Sequence, residues 1–397
     1  MATNHILVLD DDVTVCEAMR LIGVSCGYKV TSINTPQNLN TLYAELNPDI
    51  IILDLNLGKY DGVEVLRELS NLKSPVKIIL ISGHDEKVLH SALLLGCSKG
   101  LNVIAAHHKP VDANTLKALL KTTSVKYLSV SPAMIRAGIA NNEFILCYQP
   151  KIYIHTLKFA GVEALIRWNV TGDTIIHPDS FISVAEQNDL IAPLSSWVNH
   201  EAVRQGAEFQ KNGFEVTISI NISSLLLSDL SLPDDFAKLT EKYGLKPENF
   251  CIEITESEAI KNISTTLDIL TRFRLKGFAV SIDDFGTGFS SLVGLHRIPS
   301  NELKIDKSFI LNLKKNTSEY VIVRSTIRLA HDLDLQVVAE GVETRSAFNL
   351  LKKLRCDIAQ GYLIASPMPA EQLISWMRTN LDDSMTYKFP FVDDNKK

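Results

Sequence analysis

The chain lacks any apolar segment that approaches the roughly 18 unbroken residues of a membrane helix. It also lacks a signal-peptide pattern, because Asp10, Asp11 and Asp12 interrupt the first apolar run and a secretory signal needs an unbroken apolar core. No low-complexity tract or internal repeat is present. These absences predict a cytoplasmic protein with no membrane contact.

Cysteine is sparse. The six cysteines form no CxxC pair and follow no spacing typical of metal ligands. We therefore expect reduced, mostly buried thiols, as in cytosolic proteins.

Positive charge is outweighed by negative charge, and the formal net charge is -6. This balance disfavours a general affinity for DNA or anionic membranes. No basic stripe or recognition-helix pattern appears, so we predict no direct DNA binding.

The length of 397 residues and the hydrophobic content of 46% suit two soluble domains, each with its own core. Residues 121–130 show no clear period, and Ser131 followed by Pro132 predicts the start of a helix. We place a first domain at 1–122 and a linker with the start of a helix at 123–137. A second domain follows at 138–380, and a polar tail at 381–397.

The first domain alternates short apolar strands with amphipathic helical stretches. We predict strands at 5–9, 29–33, 50–54, 77–82 and 102–106. This alternation is typical of a doubly wound α/β fold with a five-stranded parallel sheet. Ligands of such folds lie at the carboxyl ends of the strands, where this sequence has Asp10, Asp11, Asp54, Ser82 and Lys109.

The second domain continues the alternation. We predict its strands at 144–148, 159–165, 216–221, 250–255, 278–282, 302–305, 336–339 and 358–362. Eight strands with intervening helices indicate a TIM-like (β/α)₈ barrel. Only a short polar turn joins the first two strands, so we expect a modified barrel with one antiparallel strand.

Acids and amides follow almost every strand of this predicted barrel. They are Glu163, Asn221, Glu253, Asp283, Asp284, Lys304, Asp306, Glu340, Glu343 and Gln360, with one lysine among them. In a barrel these strand ends converge on one face. Hard oxygen ligands suit Mg²⁺ or Mn²⁺, and so many acids suit two ions, which together catalyse attack on phosphate esters. Asp283 is our candidate bridge between the ions, and Lys304 would orient the attacking water.

The motifs of residues 140–375 resemble the EAL-domain family in order and spacing. The blocks are Glu163-Ala164-Leu165 with Arg167-Trp168, Asn221-Ile222-Ser223, Glu253-Ile254-Thr255-Glu256, Asp283-Asp284-Phe285-Gly286-Thr287-Gly288, Lys304-Ile305-Asp306, Glu340-Gly341-Val342-Glu343 and Gln360-Gly361-Tyr362. The resemblance implies a phosphodiesterase that opens cyclic di-GMP to linear pGpG.

The resemblance also implies roles for individual residues. Two cations would be held by Glu163, Asn221, Glu253, Asp283, Asp284 and Glu340. Catalysis would rest on Lys304, Glu340 and Asp306. Substrate contacts would come from Gln149, Leu165, Arg167, Glu343 and Gln360. Glu256 would anchor the loop 284–291, which in this family links dimerisation to metal binding, so we expect a homodimer or homotetramer.

Residues 4–122 resemble the receiver domain of response regulators. The resemblance implies that a sensor histidine kinase or a phosphotransfer protein phosphorylates Asp54. Mg²⁺ would bind Asp11, Asp54 and the main-chain carbonyl of Asn56, close to Asp10. Ser82 and Lys109 would hold the phosphoryl group, and Lys109-Pro110 would be a cis peptide.

The sequence departs from these families at a few positions. Ala106 stands where receivers carry the Phe or Tyr that relays phosphorylation. Asn301 and Ala365 replace a common Asp and Ser of EAL domains, and neither removes a metal ligand. No Gly-Gly-Asp-Glu-Phe-type cyclase motif accompanies the barrel.

Three other interpretations remain open. The first domain could be a receiver-shaped docking module that is never phosphorylated. The second could sense cyclic di-GMP without cutting it, although its complete ligand set opposes this. Acids and a lysine at barrel strand ends also suit proton abstraction beside a carboxylate, but Asn221 and the Glu-Ala-Leu context oppose that chemistry.

Overall fold

The computed structural model of the chain describes residues 4–72, 76–83, 86–123, 130–170, 175–256, 263–287 and 292–388. The chain divides into two compact units, Met1–Leu128 and Ser129–Lys397. Within the described ranges, no helix is long and apolar enough to span a membrane.

The first unit is built on a five-stranded parallel sheet. Its strands are β1 His5–Leu9, β2 Lys29–Ile33, β3 Ile50–Asp54, β6 Lys77–Ser82 and β7 Asn102–His108, and a short antiparallel ribbon consists of β4 Asn56–Leu57 and β5 Tyr60–Asp61. The order in the sheet is β2-β1-β3-β6-β7. The helices are α1 Val13–Ser25, α2 Leu39–Leu46, α3 Gly62–Asn71, α4 Glu86–Ser98 and α5 Ala113–Thr123.

The two faces of this sheet bury two separate apolar clusters. Strand β3, with sequence IIILD, is buried along its whole length, because helices cover both faces of a parallel sheet. The predicted doubly wound fold is confirmed, and the observed β7 continues two residues beyond the predicted end.

The second unit is an eight-stranded closed barrel. The barrel strands are β8 Phe144–Tyr153, β9 Phe159–Asn169, β11 Ile218–Asn221, β12 Phe250–Thr255, β13 Ala279–Phe285, β14 Glu302–Ile305, β15 Gln336–Ala339 and β16 Ile358–Gln360. Two short strands, β10 Ile175–Ile176 and β17 Met368–Pro369, extend the sheet beside β9 and β8.

The predicted antiparallel strand is β8. It pairs antiparallel with both β9 and β16, while all other neighbouring barrel strands run parallel. The short polar turn between β8 and β9 allows only a hairpin, because a parallel crossover needs a dozen or more residues. The irregular start of the barrel is therefore set by the length of one turn.

Helices surround the barrel. They are α6 Pro132–Ala140, α7 Ile182–Gln187, α8 Ile191–Lys211, α9 Leu232–Lys242, α10 Ile263–Leu275, α11 Leu292–Arg297, α12 Lys307–Leu311, α13 Ser318–Asp332, α14 Arg345–Lys353 and α15 Ala370–Asn380. Short 3₁₀ turns lie at Pro36–Asn38, Pro178–Ser180, Ser224–Ser228 and Pro247–Asn249. As predicted, α6 begins with Ser131 as its N-cap and Pro132 in its first turn.

The polar tail predicted for residues 381–397 is wrong for its first part. Leu381 and Tyr387 are buried, and the Tyr387 N–H donates to the carbonyl of Leu157. The Tyr387 ring also stacks on Trp376 with 5.5 Å between ring centroids. Leu381, Met385 and Tyr387 pack in or against the barrel core, and burying an apolar side chain of this size stabilises by about 2 kcal/mol.

We predict that Gly161→Ala destabilises the barrel by about 3 kcal/mol, because it combines backbone strain with a steric clash. Gly161 has φ +140, and an added Cβ would lie 2.5 Å from the carbonyl oxygen of Thr217. That oxygen cannot easily move, because it accepts the Val162 N–H. Urea unfolding followed by tryptophan fluorescence reports on the barrel alone, since all three tryptophans lie in the second unit.

The matched control is Gly213→Ala. Gly213 also has a left-handed φ, +86, but an added Cβ would meet nothing within 4 Å. Only the strain should remain, about 1 kcal/mol. Equal losses in the two variants would contradict the steric argument.

Candidate functional site

The barrel strands bring the predicted acids to one edge. Parallel pairing places Asn221 beside Glu253 and Thr255 beside Asp283. Glu163 on β9 pairs with Ser219, two residues before Asn221. Because the carboxyl ends of parallel barrel strands converge, these side chains meet at the mouth of the barrel.

Asp283 and Asp284 are consecutive, yet both contribute to the same site. Successive residues of a regular strand point to opposite faces. Here the pairing with β14 shifts register between Ile282 and Phe285, and Asp284 has φ 55. This bulge with a left-handed residue turns the second carboxylate back towards the first.

The acids form two groups whose carboxylate oxygens lie within 4.8 Å of one another. One group is Glu163, Glu253 and Asp283, and the other is Asp283, Asp284 and Glu340. Asp283 belongs to both. Two carboxylate groups that share one member match the donor set of a two-cation site with a bridging aspartate.

Lys304 lies at the centre of these acids and is fully buried. Its Nζ is 2.7 Å from Glu253, 2.7 Å from Glu340, 3.0 Å from Asp283 and 3.4 Å from Glu163. A single ammonium cannot neutralise four carboxylates. The site therefore carries excess negative charge, which divalent cations would neutralise.

The pKa values reflect this excess charge. Burial and neighbouring acids raise the pKa of Glu253 to about 7, that of Glu340 to about 8 and that of Asp284 to about 6. For Glu163, burial opposes ionisation, but Lys304 and a hydrogen bond from Gln360 lower the pKa. A bound cation would favour the ionised form of these carboxyls and so lower their pKa values again.

Glu163 is fixed by two amides. The Asn221 side chain donates to its Oε1 at 2.8 Å, and Gln360 donates to its Oε2 at 2.6 Å. Gln360 also donates to Gln149, which in turn donates to the carbonyl of Ala365. Gln149 and Gln360, predicted to contact substrate, are both buried, and in this structure their amides orient the acid.

The other predicted substrate residues are more open. Leu165 lines a pocket together with Asn221 and Glu186. Arg167 is half-buried, and its guanidinium donates to the carbonyl of Ile166. Glu343 is exposed. Their roles stay predictions.

Asp306 caps the short helix Lys307–Leu311 by accepting from the N–H of Ser308. Its charge also helps to raise the pKa of Asp284, after burial and Asp283. Asp306 therefore lies near the second acid group without belonging to it.

Glu256 is buried, and its Oε2 accepts the N–H of Gly286 at 3.2 Å. This contact is consistent with the predicted role as anchor of the loop 284–291. Residues 288–291 of that loop lie outside the described residues.

The receiver unit has a smaller acidic pocket of similar design. Lys109 Nζ is 2.7 Å from Asp10 and 2.6 Å from Asp54, and both acids are buried. Asp11 is exposed and completes a group of three carboxylates. Burial lowers the pKa of Lys109, but the hydrogen bonds to Asp10 and Asp54 outweigh this effect and raise it above its ordinary value.

The remaining predicted receiver residues surround this pocket. Ser82 is fully buried at the end of β6, and the N–H of Asn56 donates to Asp54 at 3.2 Å. The Lys109-Pro110 peptide is cis, as predicted. Ala106, where an aromatic relay was expected, packs against an apolar cluster of the sheet.

Sequence reasoning missed two charged residues inside the barrel, Lys151 and Glu302, which are 4% and 9% exposed. The sequence pattern that could have identified them is the alternation of side chains along a strand, in which every second residue points to the same face. Lys151 is two residues after Gln149, and Glu302 is two residues before Lys304, so each shares the inward face of a residue that was identified.

A barrel with paired acid groups at its mouth defines a class of metal-dependent enzymes. Comparison with known families is more specific. Residues 133–367 match the EAL domain model, and residues 6–121 match the response regulator receiver domain model. The chain belongs to the EAL-domain family and carries a receiver domain before the EAL domain.

Two relatives illustrate the similarity to known proteins. The bifunctional diguanylate cyclase/cyclic di-GMP phosphodiesterase MucR of Pseudomonas aeruginosa is 38% identical over 61% of this chain and 35% of its own. The oxygen sensor protein DosP of Escherichia coli is 30% identical over 94% of this chain and 50% of its own. The chain thus spans between a third and a half of these relatives.

A solved structure is also similar. The PaMucR phosphodiesterase in complex with c-di-GMP has a TM-score of 0.58 and 38% sequence identity, covering 61% of this chain and 98% of that chain.

We predict that the free energy of unfolding of the metal-free barrel falls as pH rises from about 5 to about 8. The folded-state pKa values of Glu253 and Glu340 lie above the ordinary 4.5. Their contribution to stability is therefore complete below the ordinary pKa and is lost as pH rises through the folded-state values. Urea unfolding in EDTA, followed by tryptophan fluorescence, measures this dependence.

Glu253→Gln removes one of the carboxyls whose pKa is raised into this range, so the unfolding free energy of this variant should depend less on pH. Glu241→Gln, at an exposed acid of α9, should keep the wild-type dependence. An unchanged slope in Glu253→Gln would show that this carboxyl does not titrate in the range.

Proposed function

We propose that this chain is a response regulator whose EAL domain hydrolyses cyclic di-GMP to linear pGpG in a reaction that requires Mg²⁺ or Mn²⁺. The observation that carries the proposal is the pair of acid groups joined by Asp283 around Lys304. Support comes from similarity to MucR, which is named a bifunctional diguanylate cyclase/cyclic di-GMP phosphodiesterase. A further relative, at 37% identity over 69% of this chain, is named a cyclic di-GMP phosphodiesterase.

The proposal assigns one cation to Glu163, Asn221, Glu253 and Asp283, and a second to Asp283, Asp284 and Glu340. When bound, these cations would lower the pKa of a water and neutralise charge on the phosphate. The chain's own residues prepare the site for them. Asn221 and Gln360 fix Glu163, and Lys304 holds the other carboxylates at the mouth of the barrel.

Lys304 has a second role in the proposal. In the metal-free arrangement its ammonium contacts four acids. With these acids engaged as cation ligands, the N–H groups of Lys304 would be free to hold the attacking water and to stabilise charge on the phosphate. Asp306 and Glu340 would act together with Lys304 as catalytic residues. The dinucleotide would be contacted by Arg167, Leu165 and Glu343. Gln149 and Gln360 would also contribute to substrate binding.

In the receiver domain, Asp54 would accept a phosphoryl group from a sensor histidine kinase or a phosphotransfer protein, with Mg²⁺ held by Asp11, Asp54 and the carbonyl of Asn56. Asp54 is buried against Lys109, and this ammonium would stabilise the transferred phosphoryl group. Ser82 would hold the same group. Phosphorylation would modulate hydrolysis in a homodimer or homotetramer.

Purified full-length protein incubated with cyclic di-GMP and Mg²⁺ or Mn²⁺ should yield pGpG. Glu163→Ala should lower the rate by about 100-fold or more, because losing a metal ligand removes several kcal/mol of transition-state stabilisation. Chromatographic separation of the products measures the rate.

The control for this experiment is Glu241→Gln, which removes an exposed acid of α9 and should leave the rate unchanged. Nucleotide that binds without being cut would place the protein among cyclic di-GMP receptors. Hydrolysis that survives both EDTA and Glu163→Ala would reject the metal mechanism.

Asp54→Asn should abolish phosphorylation by acetyl phosphate and Mg²⁺, because an amide cannot accept the phosphoryl group through a carboxylate oxygen. Electrophoresis in gels that retard phosphoproteins measures the modification. Glu45→Gln, at an exposed acid of α2, serves as the control and should be labelled like wild type.

The same samples test the coupling between the domains. A hydrolysis rate that changes with acetyl phosphate in wild type, and not in Asp54→Asn, supports regulation by the receiver. If phosphorylated wild type and Asp54→Asn share one rate and one oligomeric state, the coupling proposal is rejected.

A further inference from the structure

A second buried lysine lies inside the barrel, beside the acid site. Lys151 is on β8, the antiparallel strand, and is 4% exposed. Its Nζ donates to Ser219 Oγ at 2.7 Å and lies 3.6 Å from both Glu253 Oε1 and Glu302 Oε1.

Glu253 is thus held between two lysines. Its Oε2 faces Lys304 at 2.7 Å, while its Oε1 faces Lys151. Within the described part of the chain, Glu253 Oε1 has no hydrogen-bond partner, and neither has Glu302 Oε1. Lys151 is therefore the cation that both of these buried oxygens face.

The charge of Lys151 is secured by the same two acids. Burial by itself would lower the pKa of Lys151, but the charges of Glu302 and Glu253 raise it above its ordinary value. Without a nearby cation, two buried carboxylates would be costly. Glu302 is not in either acid group at the mouth, so its charge compensates Lys151.

We propose that Lys151 is a positioning residue for the cation site. It holds the Oε1 side of Glu253 inside the barrel, so that Oε2 remains directed at Lys304 and at the first cation. Glu302 balances its charge, and Ser219 fixes its ammonium. This inference rests on the proposed function, because it assigns Lys151 to the same metal site.

The test must distinguish the effect of Lys151 on the orientation of Glu253 from the effect of its positive charge on cation binding. Replacing Lys151 alone removes a positive charge near the cation, which by itself would favour cation binding. The variant Lys151→Met/Glu302→Gln removes one charge of each sign and so preserves the net charge. If Lys151 orients Glu253, this double variant should bind Mn²⁺ about 10-fold or more weakly, since partners that orient metal ligands contribute such factors.

Barrel unfolding supplies a readout that does not depend on hydrolysis. Urea midpoints are measured for the full-length protein in EDTA and across a series of Mn²⁺ concentrations, with tryptophan fluorescence as the probe. The stabilisation by Mn²⁺ gives its dissociation constant for the folded state. Because all three tryptophans lie in the second unit, cation binding to the receiver does not confuse the signal.

The matched control is Lys238→Met/Asp235→Asn, which removes an exposed ion pair from α9. Its Mn²⁺ affinity should equal that of wild type. Wild-type Mn²⁺ affinity in Lys151→Met/Glu302→Gln would overturn the inference and leave Lys151 with a structural role only. A dissociation constant raised about 10-fold or more, with similar stability in EDTA, would support it.

A second variant covers the case in which the double variant does not fold. Ser219→Ala removes only the hydroxyl that fixes Lys151, so Mn²⁺ binding should weaken by a few fold. An unchanged affinity would count against the inference. Wild-type protein that binds Mn²⁺ without cutting cyclic di-GMP would reject the proposed function alone, whereas failure of wild type to bind Mn²⁺ would reject both.

Discussion

The barrel is organised around one ammonium group. Lys304 is fully buried and lies within 3.4 Å of four carboxylates. Burying so many acids without compensation would be prohibitive, and one lysine compensates only part of their charge. The strands, the bulge at Asp283 and the amides around Glu163 hold this unbalanced arrangement in place, and the remaining negative charge makes the site suitable for cations.

The receiver unit solves a similar problem on a smaller scale. Lys109 contacts Asp10 and Asp54 at the carboxyl edge of a parallel sheet. In both units, apolar strands deliver acids to an edge and a lysine from another strand or loop holds them together. The edge of a parallel sheet is a natural place for such sites, because side chains from several strands converge there while the apolar body of the sheet supplies stability.

Much of the fold and site could be predicted, and the reason differs between elements. Buried parallel strands such as β3 read as continuous apolar runs, so most strands of the first unit were found at or near their observed ends. The hairpin at the start of the barrel followed from the length of one turn. The tail around Tyr387 was missed because burial of isolated apolar residues depends on the partner surface, here Trp376, and no local pattern indicates it.

By itself, the sequence determined which residue types lie at the strand ends, and hence the chemistry available at each mouth. It could do so because strand periodicity and motif order are local properties of the chain. Only the tertiary structure decided that Gln360 binds Glu163 and is itself held by Gln149. The same is true of the register shift at Asp284, which places two consecutive acids together. It is also true of Lys151, which approaches Glu253 from the antiparallel strand. These contacts join residues distant in sequence, and the closure of the barrel, not any local pattern, sets the distances between them.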